Sequence, residues 1–141
     1  MNRGLDLHVG AVVVGVFVDQ IGSFTTAVAL AAGLPILGVS SAKVGQALYE
    51  ASCIAYGGIG GFTAARFARR SMIAHGMATS FASLAVSTAL GVAMRQQMLD
   101  SRAILFAVMA LAAGPLGGWL ASLIPVRGPH GVARVPRQRT S

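Results

Sequence analysis

The chain has 141 residues, of which 55% are hydrophobic and only 11% are charged. A soluble domain carries about 25% charged residues, so this composition excludes an ordinary soluble enzyme or binding domain. The net charge of +7 would be compatible with binding to nucleic acid. However, the basic residues flank apolar stretches and lack the interleaved aromatic residues of a base-stacking surface. We therefore expect a lipid bilayer, and no nucleic acid, as the partner of this chain.

Four apolar stretches have the length of transmembrane helices. Each holds roughly 20 residues, enough to cross about 30 Å of hydrocarbon as an α-helix. None shows the charged stripe, at a period near 3.6, that a helix on the surface of a soluble bundle needs. The sequence therefore predicts an all-α polytopic membrane protein, an antiparallel four-transmembrane-helix bundle formed by residues 1–124. The predicted spans are residues 9–30, 44–65, 74–94 and 103–124.

Short polar connectors separate the predicted spans, which makes successive helices antiparallel. The first connector, residues 31–43, contains a predicted break at Gly33-Leu34-Pro35. Asp100 or Ser101 is suited to cap the start of the last helix. Pro125 prevents its continuation, and residues 125–141 form a basic tail that we predict to be disordered.

The distribution of Lys and Arg predicts the orientation, because cytoplasmic loops carry an excess of these residues. Eight of them fall on the side that holds both termini and the second connector, and three fall on the opposite side. Both termini are therefore predicted to be cytoplasmic. The eight are Arg3, Arg66, Arg69, Arg70, Arg127, Arg134, Arg137 and Arg139, and the three are Lys43, Arg95 and Arg102.

One acidic residue, Asp19, falls in the middle of the first span, on a face of small and polar residues that is expected to point at protein. An Asp at this depth raises the free energy of membrane insertion by about 2.5–3.5 kcal/mol, so its presence needs an explanation. As a functional group it would relay protons or bind a cation, with Ser23 and Glu50 completing a polar site. As a packing group it would be protonated and hydrogen-bonded to a neighbouring helix. A third alternative is a water-filled cavity with no specific role.

Small residues recur at four-residue intervals in the other three spans, which is typical of close helix packing. The second span has Gly57 and Gly61, and the last has Gly114 and Gly118. In the third span the residues at this interval are Thr79, Ser83, Ser87 and Gly91. Packing within one chain is the simpler interpretation, and contact with a second copy or with another membrane protein is the alternative.

Three arginines, Arg66, Arg69 and Arg70, directly follow the glycine-rich second span. Arginines at the end of a transmembrane span can contact anionic lipid headgroups, and each contributes about 1 kcal/mol to the attraction between protein and membrane surface. They would also mark the cytoplasmic side without binding any particular lipid.

The stretch Gly60-Gly61-Phe62-Thr63-Ala64-Ala65-Arg66, followed by a basic link and His75-Gly76, resembles a family of small bacterial four-helix inner-membrane proteins. Their pattern is Gly-Gly-aromatic-x-Ala-Ala-Arg, then His-Gly. Val18-Asp19-Gln20-Ile21-Gly22-Ser23 is similar to the pattern of their first span. The resemblance implies a bacterial inner-membrane location and implies no activity.

Two shorter motifs, Gly22-Ser23-Phe24 and Gly60-Gly61-Phe62-Thr63, are similar to motifs of the small four-helix fluoride channels. There the first motif lies in the second span, after an Asn. Here it lies in the first span, with Asp19 in place of the Asn, and Ala64-Ala65-Arg66 replaces the channel residues. These departures argue against a fluoride pore.

No nucleophile and base, and no set of metal ligands, can be placed on facing helices, so we expect neither an enzyme nor a bound cofactor. The leading interpretation is a non-enzymatic structural or accessory subunit of a membrane complex. The alternative is a small oligomeric transporter or channel that uses Asp19 as its ionisable centre.

Overall fold

The computed structural model describes residues 7–69, 71–93 and 101–125. Four α-helices make up this part of the chain, and it contains no strand. Helix α1 spans Val9–Ile36, α2 spans Ala42–Ala68, α3 spans Met72–Ala93 and α4 spans Ser101–Leu123. The prediction of an all-helical fold with four helices is confirmed.

Three of the helices, α1, α3 and α4, are long and apolar enough to cross a membrane. Helix α2 has 27 residues but is less apolar, because it carries Lys43, Gln46, Glu50 and Arg66 together with several glycines. The structure therefore supports three of the four predicted spans by length and composition, and the fourth stays a prediction.

Helix α2 contacts all three of the other helices. Helices α1 and α4 each contact α2 and α3, whereas across the described residues they do not contact each other. All the buried residues of α2 are Gly or Ala, which lets its neighbours approach closely. A helix packed among three others needs fewer large apolar side chains than one that faces lipid, which accounts for the lower hydropathy of α2.

The contacts between α1 and α2, and those between α3 and α4, run in opposite order along the two helices of each pair. Later residues of α1 contact earlier residues of α2, and the same holds for α3 and α4. These pairs are Gly15 with Gly60, Gly22 with Tyr56, Leu34 with Gly45, Gly76 with Gly118, and Ser80 with Gly114.

The predicted break at Gly33-Leu34-Pro35 is wrong, because α1 extends beyond the predicted span of residues 9–30 and continues through Pro35 to Ile36. Pro35 lies in the last turn, where the following amides still complete the helix: the Leu37 N–H donates to the Gly33 carbonyl at 3.1 Å. The helix ends at Ile36, and Gly38, two residues later, has the left-handed φ of +72° that commonly follows the end of a helix. Of the predicted tail, only Pro125 belongs to the described residues.

The start of α1 is tied to α3 through His75, which is fully buried. The backbone N–H of His8 donates to His75 Nε2 at 2.9 Å, and His75 Nδ1 lies 3.1 Å from the Ser71 carbonyl oxygen. A carbonyl can only accept and an amide N–H can only donate. Both bonds therefore require the neutral imidazole with its proton on Nδ1.

Candidate functional site

Asp19 faces the interior of the bundle, and only 7% of its surface is exposed. It lies on the same side of α1 as Ala11 and Gly15, which are also buried, because residues four apart share one face of a helix. The other side of α1 presents large apolar side chains outward. These exposed residues are Phe17, Ile21, Phe24 and Val28.

The Asp19 side chain lines a cavity of about 320 Å³ to which all four helices contribute. Asp19 is the only acidic residue among the described residues that line the cavity, and none of these is Lys, Arg or His. Most of the polar lining comes from α1 and α3. The polar residues are Asp19, Gln20 and Ser23 from α1, Tyr49 from α2, and Ser80, Ser83 and Ser87 from α3.

The Asp19 carboxylate has one hydrogen bond within the described part of the chain. The Ser23 hydroxyl, one turn later on the same helix, donates to Asp19 Oδ1 at the long distance of 3.5 Å. Ser83 of α3 lies close enough for its hydroxyl to interact with the carboxylate, although the two groups do not form a full hydrogen bond. Asp19 is therefore next to one hydroxyl of its own helix and one hydroxyl of α3.

Two hydroxyls of the cavity wall, those of Ser80 and Ser83, are buried without a hydrogen-bond partner. Each residue is only 5% exposed. Buried polar groups in native proteins are usually hydrogen-bonded, and each exception asks for an explanation. Ser87, by contrast, accepts a hydrogen bond from Gln20 Nε2 at 3.2 Å. The unpartnered groups thus lie on the part of α3 that faces the Asp19 cavity.

On one side of Asp19, toward the start of α1, the helices are tightly packed. A Cβ atom at Gly15 would lie 2.6 Å from the Gly60 carbonyl oxygen and 2.8 Å from Thr79 Cγ2. Ala64 of α2 is fully buried in the same region. The Thr79 hydroxyl is satisfied there by the His75 carbonyl at 2.8 Å. Between α1, α2 and α3, this side of Asp19 is therefore closely packed.

On the other side of Asp19, the cavity continues toward the α1–α2 connector. Its lining includes Leu90 and Gly91, near the end of α3, and Phe106, near the start of α4. Asp19 therefore lies between the close contact of α1 with α2 and α3 on one side and the cavity on the other.

Of the predicted polar site, the structure brings Ser23 to Asp19 but places Glu50 elsewhere. Glu50 does not line the cavity. Its Oε1 accepts a hydrogen bond at 3.1 Å from Gln46, one turn earlier on the same helix.

The glycines predicted for helix packing lie at contacts between helices. A Cβ atom at Gly61 would come within 2.7 Å of Gly114 Cα and still closer to the Gly114 carbonyl oxygen. Gly118 lies against the start of α3, where a Cβ atom would be 2.5 Å from the Met72 carbonyl oxygen. Gly57 has more room, since the nearest atom, Ala113 Cβ, would be 3.7 Å away. Gly61, Gly114 and Gly118 thus bring α2, α3 and α4 together within one chain.

The predicted lipid-contacting arginines have different surroundings. Arg66 Nη1 donates to the Ile124 carbonyl at 2.8 Å, so it satisfies an orphan carbonyl at the end of α4. Arg69 is exposed and ends α2 in the left-handed conformation, with φ of 55°. Arg70 lies outside the described residues.

The contribution of α3 to the site was not predicted from the sequence. Ser83 and Ser87 belong to the small-residue face of the third span, and small polar residues at this interval suit packing and ligand binding equally. Ser80 lies one turn before Ser83, at an i, i+3 spacing that adds it to the same face. The polar character of this face was the available signal.

Comparison of the chain with protein-family models, curated proteins and solved structures gave no match. Within the described ranges, no three His, Cys, Asp or Glu side chains come together. The chemistry of the site therefore rests on one carboxylate and several hydroxyls.

Proposed function

We propose that this chain is a small transporter or channel in which Asp19 binds a single positive charge, either a proton or a monovalent cation. The observation that carries the proposal is a buried carboxylate that lines a cavity in which no described lining residue is basic. An ionised carboxylate out of water is costly unless an opposite charge compensates it. Water could hydrogen-bond to the carboxylate but would bring no charge. Asp19 is therefore suited to take up and release one positive charge.

The packing interpretation of Asp19 has less support. It requires a protonated carboxyl that is hydrogen-bonded to a neighbouring helix. The hydrogen bond that Asp19 forms within the described residues is to Ser23 of its own helix, and its neighbour on α3, the Ser83 hydroxyl, does not form a full hydrogen bond with it. Close contact between α1 and α2 is provided by Gly15 and Gly60 instead, one turn away from Asp19.

The transporter proposal includes an antiparallel bundle in which all four helices cross the membrane. The order of the contacts between consecutive helices supports this arrangement. At about 1.5 Å per residue, the 27 residues of α2 exceed the thickness of the hydrocarbon core. The charged residues of α2 other than Glu50 lie near its two ends, at Lys43 and Arg66.

The different packing around α1 on the two sides of Asp19 supports a mechanism in which the ion enters from one side of the membrane and leaves on the other. A proton or cation from the α1–α2 connector side would reach Asp19 through the cavity. Release on the opposite side requires α1 to separate from α2 and α3 around Gly15 and to break the bond between His8 and His75. In this mechanism the closely packed side is the gate, and Asp19 binds the charge at its edge.

Flux through reconstituted protein tests the proposed function. Purified chain is incorporated into liposomes, gradients of H⁺, Na⁺ or K⁺ are imposed in turn, and each is followed with an enclosed dye that is sensitive to that ion. We expect at least one gradient to dissipate faster than in empty liposomes. A Glu50→Gln variant, altered outside the cavity, should match the parent. If none of the three gradients dissipates faster than in empty liposomes, the proposed function is wrong.

We further propose a bacterial inner-membrane location with both termini in the cytoplasm, from the distribution of Lys and Arg. In a Cys53→Ser background, an impermeant thiol reagent should label Ser40→Cys in intact cells and leave Gln138→Cys unlabelled until the cells are permeabilised. Ser40 is exposed in the α1–α2 connector, whereas a side chain at nearby Gly38 would be strained by its positive φ. The reverse labelling pattern would require the opposite orientation.

A further inference from the structure

We propose that the groove between α2 and α4 binds an anionic phospholipid, with one acyl chain between the two helices and the phosphate at Arg66. The groove has a volume of about 560 Å³, and every described residue that lines it is apolar. None of these residues lines the Asp19 cavity, so lipid binding in the groove does not depend on ion transport. The lining includes Ala55, Ile59 and Phe62 from α2, and Ala112, Leu116 and Leu120 from α4.

The groove has a floor of small residues between rims of larger ones. Gly117 of α4 packs so closely on α2 that a Cβ atom there would lie 2.8 Å from the Phe62 backbone nitrogen. On either side of this contact, the large side chains of Ile59 on α2 and Leu116 on α4 are exposed. The two helices therefore leave between them a narrow apolar groove whose rims face outward.

Arg66 lies at one end of the groove. It follows Phe62 by one turn and so continues the groove face of α2, as Ile124 follows Leu120 on the other side. Arg66 Nη1 donates to the Ile124 carbonyl at 2.8 Å, so the guanidinium extends from α2 to the end of α4. That bond uses one of five N–H donors, and a planar guanidinium is suited to bind phosphate with the others. From Ile54 to Arg66 α2 rises about 18 Å, slightly more than one leaflet of a hydrocarbon core of about 30 Å.

The charge around Arg66 favours an anionic headgroup. The described part of the chain has two acidic residues, Asp19 and Glu50. Asp19 lies beside Gly60, where α2 faces α1, and Glu50 lies about 24 Å before Arg66 along α2, so neither neutralises this arginine. Arg69, exposed at the end of α2, adds a second positive charge. The net negative charge of an anionic headgroup complements both arginines, whereas the ammonium group of a zwitterionic headgroup would oppose them.

The same charges disfavour a second copy of the chain in the groove. Two copies with one orientation in the membrane bring their Arg66 and Arg69 side chains to the same depth. Docking through this groove would place these like charges close together, and like charges repel. A phospholipid instead supplies an apolar chain for the groove and a negative charge for its end.

Thermal unfolding in detergent tests the inference, since a ligand that binds only the folded state raises the melting temperature. The purified chain is titrated with phosphatidylglycerol or phosphatidylcholine at constant ionic strength. We expect a saturable rise in Tm and an affinity for phosphatidylglycerol about tenfold higher than for phosphatidylcholine, the effect of one hydrogen bond to a charged group. Arg66→Gln should lose this difference. Ala112→Phe, which fills the groove from an exposed position, should abolish the saturable rise.

Two variants of α2 are the matched controls. Lys43→Gln removes a positive charge at the other end of the helix, and Ala51→Phe adds a ring at an exposed position outside the groove. Both should bind phosphatidylglycerol as the parent does. Equal affinities of the parent for the two lipids would overturn the inference, as would parental affinity in Ala112→Phe.

Two further outcomes would assign the groove to another occupant and overturn the inference. An equal rise in Tm with sodium phosphate would identify a soluble anion as the ligand. A parent dimer that Ala112→Phe dissociates would identify a second copy. If Arg66→Gln fails to fold because it loses the bond to Ile124, the parent and Ala112→Phe measurements still decide.

Discussion

Replacement of Asp19 by Asn is expected to reduce the ion flux of the reconstituted protein to that of empty liposomes. Asn has nearly the same shape and can still hydrogen-bond to Ser23, but it cannot ionise. If the site works by binding and releasing one positive charge, the variant keeps the architecture and loses the charge. Flux with the gradient that the parent dissipates, together with circular dichroism and Tm of the purified variant, measures the two effects separately.

The matched control for Asp19→Asn is Glu50→Gln, which makes the same chemical change on a residue outside the cavity. We expect Glu50→Gln to conduct as the parent does. A folded Asp19→Asn variant with parental flux would show that ionisation of Asp19 has no part in transport. Asp19 would then be a packing group, as the other interpretation of the sequence holds.

Replacement of Gly61 by Ala is expected to lower the free energy of unfolding by about 1–3 kcal/mol, the usual cost of overpacking an interior. The added Cβ would lie 2.7 Å from Gly114 Cα and closer still to the Gly114 carbonyl oxygen. Backbone atoms cannot rotate away as a flexible side chain can, so α2 and α4 must move apart. Reversible unfolding in detergent or mixed micelles measures the effect.

Gly33→Ala is the matched control for Gly61→Ala. Gly33 also lies within a helix, but a Cβ atom there would meet nothing within 4 Å. Because Ala favours the helix over Gly, this variant is expected to be more stable by up to about 1 kcal/mol. Equal destabilisation by the two substitutions would show that the contact between Gly61 and Gly114 does not limit how closely α2 and α4 approach.

The helices could be predicted from the sequence because long apolar runs reflect local composition and length. The end of α1 could not, since Pro35 can either stop a helix or occupy its last turn, and the backbone bonds after it decide between the two. The reason for the lower hydropathy of α2 also lies in the tertiary structure and could not be predicted from the sequence. Its small residues mean little until three neighbouring helices are packed around them.

The burial of Asp19 could be predicted from the polar face of α1, because the period of a helix decides which residues share a side. Its partners could not be predicted in the same way. Glu50 was grouped with Asp19 by its polarity and depth, yet the rotation of α2 leaves it outside the cavity. Ser80 and Ser83 become notable only when packing buries their hydroxyls without partners, and that depends on how α3 faces α1 and α4.

The central claim, that Asp19 takes up and releases one positive charge inside the bundle, is tested most directly by infrared difference spectroscopy of its carboxyl group. A protonated carboxyl has a C=O stretch that an ionised carboxylate lacks, and Asp19→Asn identifies the contribution of Asp19. We predict that raising the pH of the purified parent removes a protonated-carboxyl band that is absent from Asp19→Asn under all conditions. A band assigned to Asp19 that persists throughout the pH range in which the protein stays folded would contradict the claim, because the carboxyl would then be a permanently protonated packing group.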